Sequence, residues 1–499
     1  MNDITQLGGG NQLLFSVFLG DRTHRLFVFG FYFSNKGGKR THEDSDQPSR
    51  SSPTMISRGT RSLLRSYSTT TSAAAAERRV AIVDGVRTPF KLSGTDFNDL
   101  QVYDLSRTVM KSMLDRNVMD GSEIDYVAWG NVIQEVKTSN VAREAALGAG
   151  IPKNIPAHTV TMACISSNQA ITTGAEKILS GRADIVLAGG VETFSDVPIR
   201  FQRRFRQKLI GLGKASKKGT VAAISHMVKD LQPGDLAPEA PAIKNFLTQE
   251  VMGHSSDRLA QRFGVSRADQ DAFAVASHQN AETATAANML DSQICAVNGD
   301  KTDNGVRKGI KYEDMSRLKP VFIKPHGTHT PGNSSFLTDG AAANLIMSST
   351  KCEELNIQPM AYLKDWTFQA VDPFEDLLLG PAFCIPKLLK DNGLTIADID
   401  VWEIHEAFAG QVLANINAVN SDAFAKENLL GWDQKVGEIP MDKLNSWGGS
   451  LAIGHPFGAT GSRITTNACH RLQKEDGKYA IVAACADSGL AYGGLIERA

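Results

Sequence analysis

No stretch of this chain approaches the run of about eighteen apolar residues that a membrane-crossing helix requires, and the nearest, Leu26 to Phe33, is far too short. Its six cysteines, at positions 164, 295, 352, 384, 469 and 485, form no CxxC pair and no Cys/His cluster at zinc spacing. Neither a disulfide framework nor a structural metal is expected. A formal net charge of -1 gives no global attraction for nucleic acid, so an anionic partner would have to be met by a local patch. What is present is a globular composition, 42% hydrophobic and 21% charged over 499 residues, long enough for two or three cores.

The first 76 or so residues read differently from the rest. MISRGTRSLLRSYSTTTSAAAA starts at Met55, carries Arg58, Arg61 and Arg65 among apolar, Ser and Thr residues, and meets no acid before Glu77. That composition predicts a mitochondrial transit peptide and linker over 55–78. Residues 1–54 contain Asp3, Asp21, Glu43, Asp44 and Asp46, and are expected to be a disordered upstream extension.

From Arg79 onward, short apolar runs alternate with segments of helical period. VAIVDGV, DYVAWGNV, DIVLAGGV, DVWEIHEAF and YAIVAACA predict strands, and the segments after Asp104, Ser166, Ala409 and Gly461 predict helices. The fold class is α/β with buried sheets. Two internal parallels hint at duplication: EIDYV at 123–127 with DIDVW at 398–402, and IVLAGGVETF with IVAACADSGL. Between the halves, Asp196 to Pro320 is different text. It opens on IRFQRRFRQKLIGLGKASKK, free of acids, with Phe205, Leu209 and Leu212 at helical spacing. Such a helix suits an anionic lipid surface, a phosphate-bearing ligand, an acidic partner or simply solvent.

The chemistry concentrates at four places. Cys164 stands where an apolar lead-in meets Ser166, Ser167 and Asn168, good helix-opening residues. A helix N-terminus lowers a thiol pKa, so Cys164 is either a nucleophile or a small core cysteine. His455 sits among Gly448, Gly449, Gly454, Gly458 and Gly461, and His405 joins a strand to a helix in EIHEAFAGQ, where α/β sheets bind ligands. Cys485 closes an apolar strand in VAACADSGL and is either packing or a second working thiol.

Taken in order, Cys164, His405-Glu406-Ala407-Phe408, Gly454-His455-Pro456 and Cys485 resemble the four blocks of the thiolase family, and the likeness runs over nearly all of residues 79–499. SDVPIRFQRRFR, SSFLTDGAAA and His405 in place of the usual Asn are most similar to members that cleave long-chain 3-ketoacyl-CoA beside a separate hydratase/dehydrogenase α subunit. The resemblance implies a five-layered α-β-α-β-α fold of two similar halves. The N-terminal half would comprise 79–195 plus 321–350, a loop domain 196–320 would be inserted into it, and 351–499 would form the C-terminal half. It implies that Cys164 is acylated, His455 is its base, His405 completes an oxyanion site and Cys485 shuttles protons. Ser335 and Met252 would lie beside the pantetheine arm of coenzyme A, a substrate rather than a bound cofactor. A homodimer core, the α-subunit partner and peripheral contact with the inner mitochondrial membrane follow from the same likeness. Acetoacetyl-CoA synthesis, or a non-catalytic acyl-CoA-binding scaffold, are the alternatives. Two departures bear on activity: Asp487 and Ser488 replace family glycines, and Pro331 replaces a small residue. A non-glycine at 487 is expected to restrict the backbone, and its carboxylate to oppose a developing enolate.

Overall fold

A computed structural model describes residues 78–499; the proposed extension and, up to residue 77, the transit segment lie outside them. Among the described residues a ten-stranded sheet dominates. Its principal strands are β1 (Val80–Arg87), β2 (Tyr126–Asn131), β3 (Ala157–Val160), β4 (Ile185–Glu192), β5 (Thr338–Ser348), β6 (Ala361–Ala370), β7 (Val401–Ile404), β8 (Tyr479–Ala486) and β9 (Leu490–Arg498). They lie in the order β7-β8-β9-β6-β1-β5-β4-β2-β3, and the two-residue strand Lys91–Leu92 adds to β5.

The order divides into a C-terminal half, β7-β8-β9-β6, and an N-terminal half, β1-β5-β4-β2-β3. They join only where Val80, Ala81 and Ile82 of β1 pair with Leu363, Tyr362 and Ala361 of β6. Both sequence parallels fall on equivalent elements. Each EIDYV-like segment leads from a short 3-10 turn into β2 or β7, and each IVLAGG-like segment forms a strand, β4 or β8, that follows a long helix.

Those helices, Ser166–Leu179 and Thr460–Lys474, lie between the two halves of the sheet. Ile171, Ala175 and Ile178 of the first and Ile464, Ala468 and Leu472 of the second share one core with Val186, Ile346, Val401 and Val482. Each fully buried isoleucine, leucine or valine among them contributes about 1.5–3 kcal/mol. Helices Val102–Arg116 and Val141–Gly148 cover the outer face of the N-terminal half through Leu105, Val109, Met113 and Ala145 against Val127, Trp129 and Leu345. Pro381–Asp391 and Ala409–Val419 do the same for the C-terminal half through Ile385, Leu389 and Val412 against Trp402, Ile481 and Leu495. The layers are therefore α-β-α-β-α.

The text between the halves forms a helical hairpin, Arg203–Ser216 and Thr220–Val228, neither of whose helices has a buried residue. It continues into helices Met252–Arg262 and Arg267–Ala286. Leu259, Ala260 and Val265 join the core of the C-terminal half, so the segment is stitched to the body beside the carboxyl ends of β7 and β8. No helix among the described residues is long and apolar enough to cross a membrane.

Candidate active site

Cys164 lies two residues before its helix begins, in a tight turn. Ala163 takes φ +45°, a left-handed conformation that an L-residue adopts at a cost of about 1 kcal/mol or more. The Ser166 hydroxyl holds the turn by donating to the Ala163 carbonyl at 2.6 Å and accepting the Met162 amide at 2.8 Å. Strand β8 brings up Cys485, the β7 end brings His405, and the glycine-rich turn before helix Thr460–Lys474 brings His455.

The glycines there serve backbone approach: Gly454 takes φ +114°, and a Cβ on Gly458 would stand 2.4 Å from the Val191 carbonyl oxygen. Glu192, at the end of β4, fixes the same turn by accepting the amides of Gly458 and Val132 at 3.0 and 3.1 Å. Buried Glu406 accepts from Ser277 and Asn445 at 2.7 Å and from the Leu451 amide at 3.1 Å, tying the end of β7 to its neighbours.

A cavity of about 360 Å³ is lined by Cys164, His455, Cys485, Ser335 and Met252 together. Its remaining wall is mainly apolar, including Ile243, Val251, Phe322, Phe336, Leu378 and Phe408, with Pro331 also on it. His405 does not line it but lies directly behind, its ring 4.1 Å from that of His455.

Hydrogen bonds fix the two imidazoles differently. The Thr460 hydroxyl is placed to donate to the Pro456 carbonyl at 3.0 Å, and in that arrangement its oxygen accepts from His455 Nδ1, 2.7 Å away. The His455 proton is then on Nδ1, and Nε2 carries a free lone pair. At His405, Nδ1 is 3.1 Å from the Ser450 hydroxyl, which accepts from Arg463 at 2.9 Å. The Ser450 oxygen can still accept from Nδ1 or donate its own proton to it, and the donating arrangement is the one that places the imidazole proton on Nε2. Neither Nε2 has a partner among the described residues. In that arrangement one imidazole offers a base and its neighbour a donor.

Electrostatics keep both rings neutral. Burial, then the Arg463 charge, pushes His455 down to about 3. Burial, His455 and Arg463 hold His405 well below the usual imidazole range. Arg463 is balanced by buried Glu403 at 4.0 Å.

The thiols depart from the helix-terminus expectation. Burial pushes Cys164 well up, Cys485 and Asp487 add to the rise, and the nearby Asp487 amide offsets only part of it. Desolvation outweighs the helix terminus, so the resting group is a neutral thiol that needs a base. Burial also pushes Cys485 up to about 12, leaving it protonated.

Position 487 differs from expectation too. Its φ is not positive; the left-handed residues are Ser488 (φ +68°) and Gly489 (φ +73°), so a Cβ at 487 strains nothing. Its carboxylate accepts Asn245 Nδ2 at 2.7 Å and the Ser488 amide at 2.6 Å. The supporting residues Thr460, Ser450, Arg463 and Asn245 were not anticipated. Ser450 and Thr460 carried one signal, as hydroxyls within the same glycine-rich block as His455.

Residues 80–350 match the thiolase N-terminal domain and residues 357–498 the thiolase C-terminal domain, so the chain belongs to the thiolase family. It is 51% identical over 424 residues to the human trifunctional enzyme subunit beta, mitochondrial, covering 84% of this chain and 88% of that protein. It is 50% identical over 448 residues to the probable 3-ketoacyl-CoA thiolase of Caenorhabditis elegans, covering 88% and 99%. Among solved structures, a Bacillus anthracis acetyl-CoA acetyltransferase superposes with TM-score 0.72 at 29% identity, over 85% of this chain and 99% of that one. The Ascaris suum Acat5 thiolase in complex with coenzyme A gives 0.70 at 27%, over 84% and 100%. Family and relatives together support a 3-ketoacyl-CoA thiolase activity, an acyl transfer in which coenzyme A is a substrate.

Proposed function

We propose that Cys164, His405, His455 and Cys485 carry out thiolysis of 3-ketoacyl-CoA in mitochondrial fatty-acid β-oxidation. The observation that carries this reading is two adjacent buried imidazoles, each with an unpartnered Nε2, meeting two thiols at one apolar cavity. His455 Nε2 takes the Cys164 proton as sulfur bonds to the C3 carbonyl carbon. The oxyanion at that carbon is held by the His405 Nε2 proton and the newly formed His455 imidazolium. Collapse breaks the C2–C3 bond, leaving the acyl group on Cys164. The departing enolate takes the Cys485 proton and leaves as acetyl-CoA. The Cys485 thiolate then deprotonates coenzyme A, whose sulfur attacks the acyl-Cys164 carbonyl. The Asp487 amide stabilises that oxyanion, and Cys164 recovers its proton from His455 as the shortened acyl-CoA leaves. Ser335 and Met252, on the cavity wall, are assigned to the pantetheine arm.

The test is intact mass after mixing the protein with 3-ketohexadecanoyl-CoA without free coenzyme A. One acyl adduct, lost in Cys164→Ala and discharged by coenzyme A, is expected; turnover that survives Cys164→Ala refutes the assignment. The 196–320 segment is read as the loop domain, and the molecule as a homodimer core with an α-subunit partner at the matrix face of the inner membrane. The basic hairpin supports peripheral contact there, since Ile210 and Val221 are each 82% exposed beside Arg203, Arg206, Lys214, Lys217 and Lys218. Vesicle flotation should show binding to anionic but not neutral lipid; equal recovery with both rules it out.

A further inference from the structure

Asp487 is foreign to the glycine run expected after Cys485, yet the structure gives its carboxylate a defined partner. Asn245 is 242 positions away in the chain and only 2% exposed. Its side-chain oxygen accepts the amides of Leu247 and Thr248 at 3.0 and 2.8 Å, its backbone amide donates to the Glu250 carbonyl at 2.9 Å, and its carbonyl accepts from Gln249 at 3.0 Å. Lys244 and Val251 pair across the base of this loop. Residues 244–251 are therefore knit into one unit around Asn245, whose side-chain NH2 donates to Asp487.

Both ends of the hydrogen bond face the chemistry. On one side Ile243 and Val251, flanking the loop, line the substrate cavity, and Met252 follows directly. On the other, Asp487 lines the same cavity as Cys164, and its backbone amide is near enough to the sulfur to offset part of the rise in the thiol's pKa. The turn is confined beyond that point by Ser488 and Gly489 in left-handed conformations and by the Val371 amide donating to the Gly489 carbonyl at 2.8 Å. A second anchor, the ion pair of Arg258 with Glu250 and the bond from Arg258 to the Phe374 carbonyl at 2.7 Å, fixes the far end of the loop but reaches no catalytic group.

We propose that the Asn245–Asp487 hydrogen bond is a latch that registers the 243–251 wall of the cavity with the amide donor serving Cys164. The two side chains are positioning residues that favour acyl chains long enough to press on that wall. The proposal rests on Cys164 being the acylated residue. A long chain packing on Ile243 and Val251 holds the wall in place, and the latch transmits that placement to the 487 amide. Contact remote from the reacting carbon is thereby expressed in kcat rather than only in binding. A short acyl group does not reach the wall and gains nothing. The Asp487 carboxylate thus has two N–H partners, Asn245 across the latch and the amide of Ser488 beside it.

The experiment uses the full chain with 3-ketohexadecanoyl-CoA and acetoacetyl-CoA as long and short substrates. Asn245→Asp keeps the oxygen that knits the loop but sets carboxylate against carboxylate. The exchange variant Asn245→Asp/Asp487→Asn restores one amide donor and one carboxylate acceptor in reversed order. Asn245→Asp should lower kcat for the long substrate by about tenfold or more, the value of a buried hydrogen bond to a charged group, with KM changed less than threefold. The short substrate should change less than threefold, and the exchange should return long-chain kcat to within about threefold of the parent, double-mutant coupling being the measure of a direct contact. A folded Asn245→Asp protein that slows both substrates equally, or an exchange as impaired as the single variant, overturns the latch. If the parent forms no Cys164 adduct, the underlying assignment falls and the latch with it; an active parent with indifferent variants defeats the latch alone.

Discussion

Replacing Thr460 by Val tests whether one hydroxyl sets the proton position on His455. Valine keeps the shape of threonine, so the buried helix start should survive with the loss of the single bond to the Pro456 carbonyl, worth about 1 kcal/mol. The catalytic consequence is larger. With the Thr460 proton on the Pro456 carbonyl, the 2.7 Å bond makes His455 Nδ1 the donor and leaves Nε2 free for the proposed base role. Without an acceptor, the ring either keeps a buried, unpaired Nδ1 proton or moves that proton to Nε2 and ceases to be a base. Leaving a buried donor unmatched costs about 1–3 kcal/mol, which converts to a fall in kcat of roughly 5- to 150-fold. Steady-state thiolysis measures kcat and KM, and burst acylation of Cys164 shows whether the first step is the one slowed. Thr460→Ser, which restores the hydroxyl, should recover most of the rate. A Thr460→Val enzyme within twofold of the parent in kcat would show that His455 does not depend on this tautomer.

Ser488→Gly should stabilise the chain by up to about 1 kcal/mol in urea unfolding, because φ +68° is strained for serine and free for glycine; a loss would point to an unrecognised role for the hydroxyl. Acid should destabilise the fold through His455 and His278, held down to about 3 and about 4 mainly by burial. Below the unfolded value near 6.5 the unfolded chain binds the extra protons, so unfolding free energy falls with pH from about 6.5 toward those values. Each histidine contributes on the order of 2 kcal/mol between pH 8 and pH 5. Urea titrations at both pH values measure this, and a pH-independent midpoint would contradict it. Gly458→Ala should lose about 3 kcal/mol or fail to fold, since its Cβ meets the Val191 carbonyl oxygen at 2.4 Å.

How much of this was legible in the sequence depended on whether the deciding contact was local. β1, β2, β4, β7 and β8 announce themselves as short apolar runs, and the central helices through their stripes. β5 does not, because TDGAAANLIMS is buried on both faces and is mostly small residues, so neither alternation nor β-branching marks it. The four site residues stand at strand ends and helix starts that periodicity locates, so the cavity that Cys164, His455 and Cys485 share was traceable to them. The state of those groups was not. A helix terminus argues for a Cys164 thiolate, but the acidifying contacts are short and few, whereas the desolvation that overrides them is imposed by two halves of the chain closing around the sulfur.

Asp487 shows the same limit most clearly. Read locally, an acid among expected glycines is a liability twice over, once through its Cβ and once through its charge. The Cβ objection fails because the turn places its left-handed residues one and two positions later. The charge objection is reduced because Asn245, supplied by a loop more than two hundred residues earlier, offers an amide to the carboxylate. Neither fact leaves a trace in the neighbouring letters. A charged residue at such a turn can be judged only with its partner in view, and here that partner belongs to the loop whose flanks, Ile243 and Val251, line the cavity.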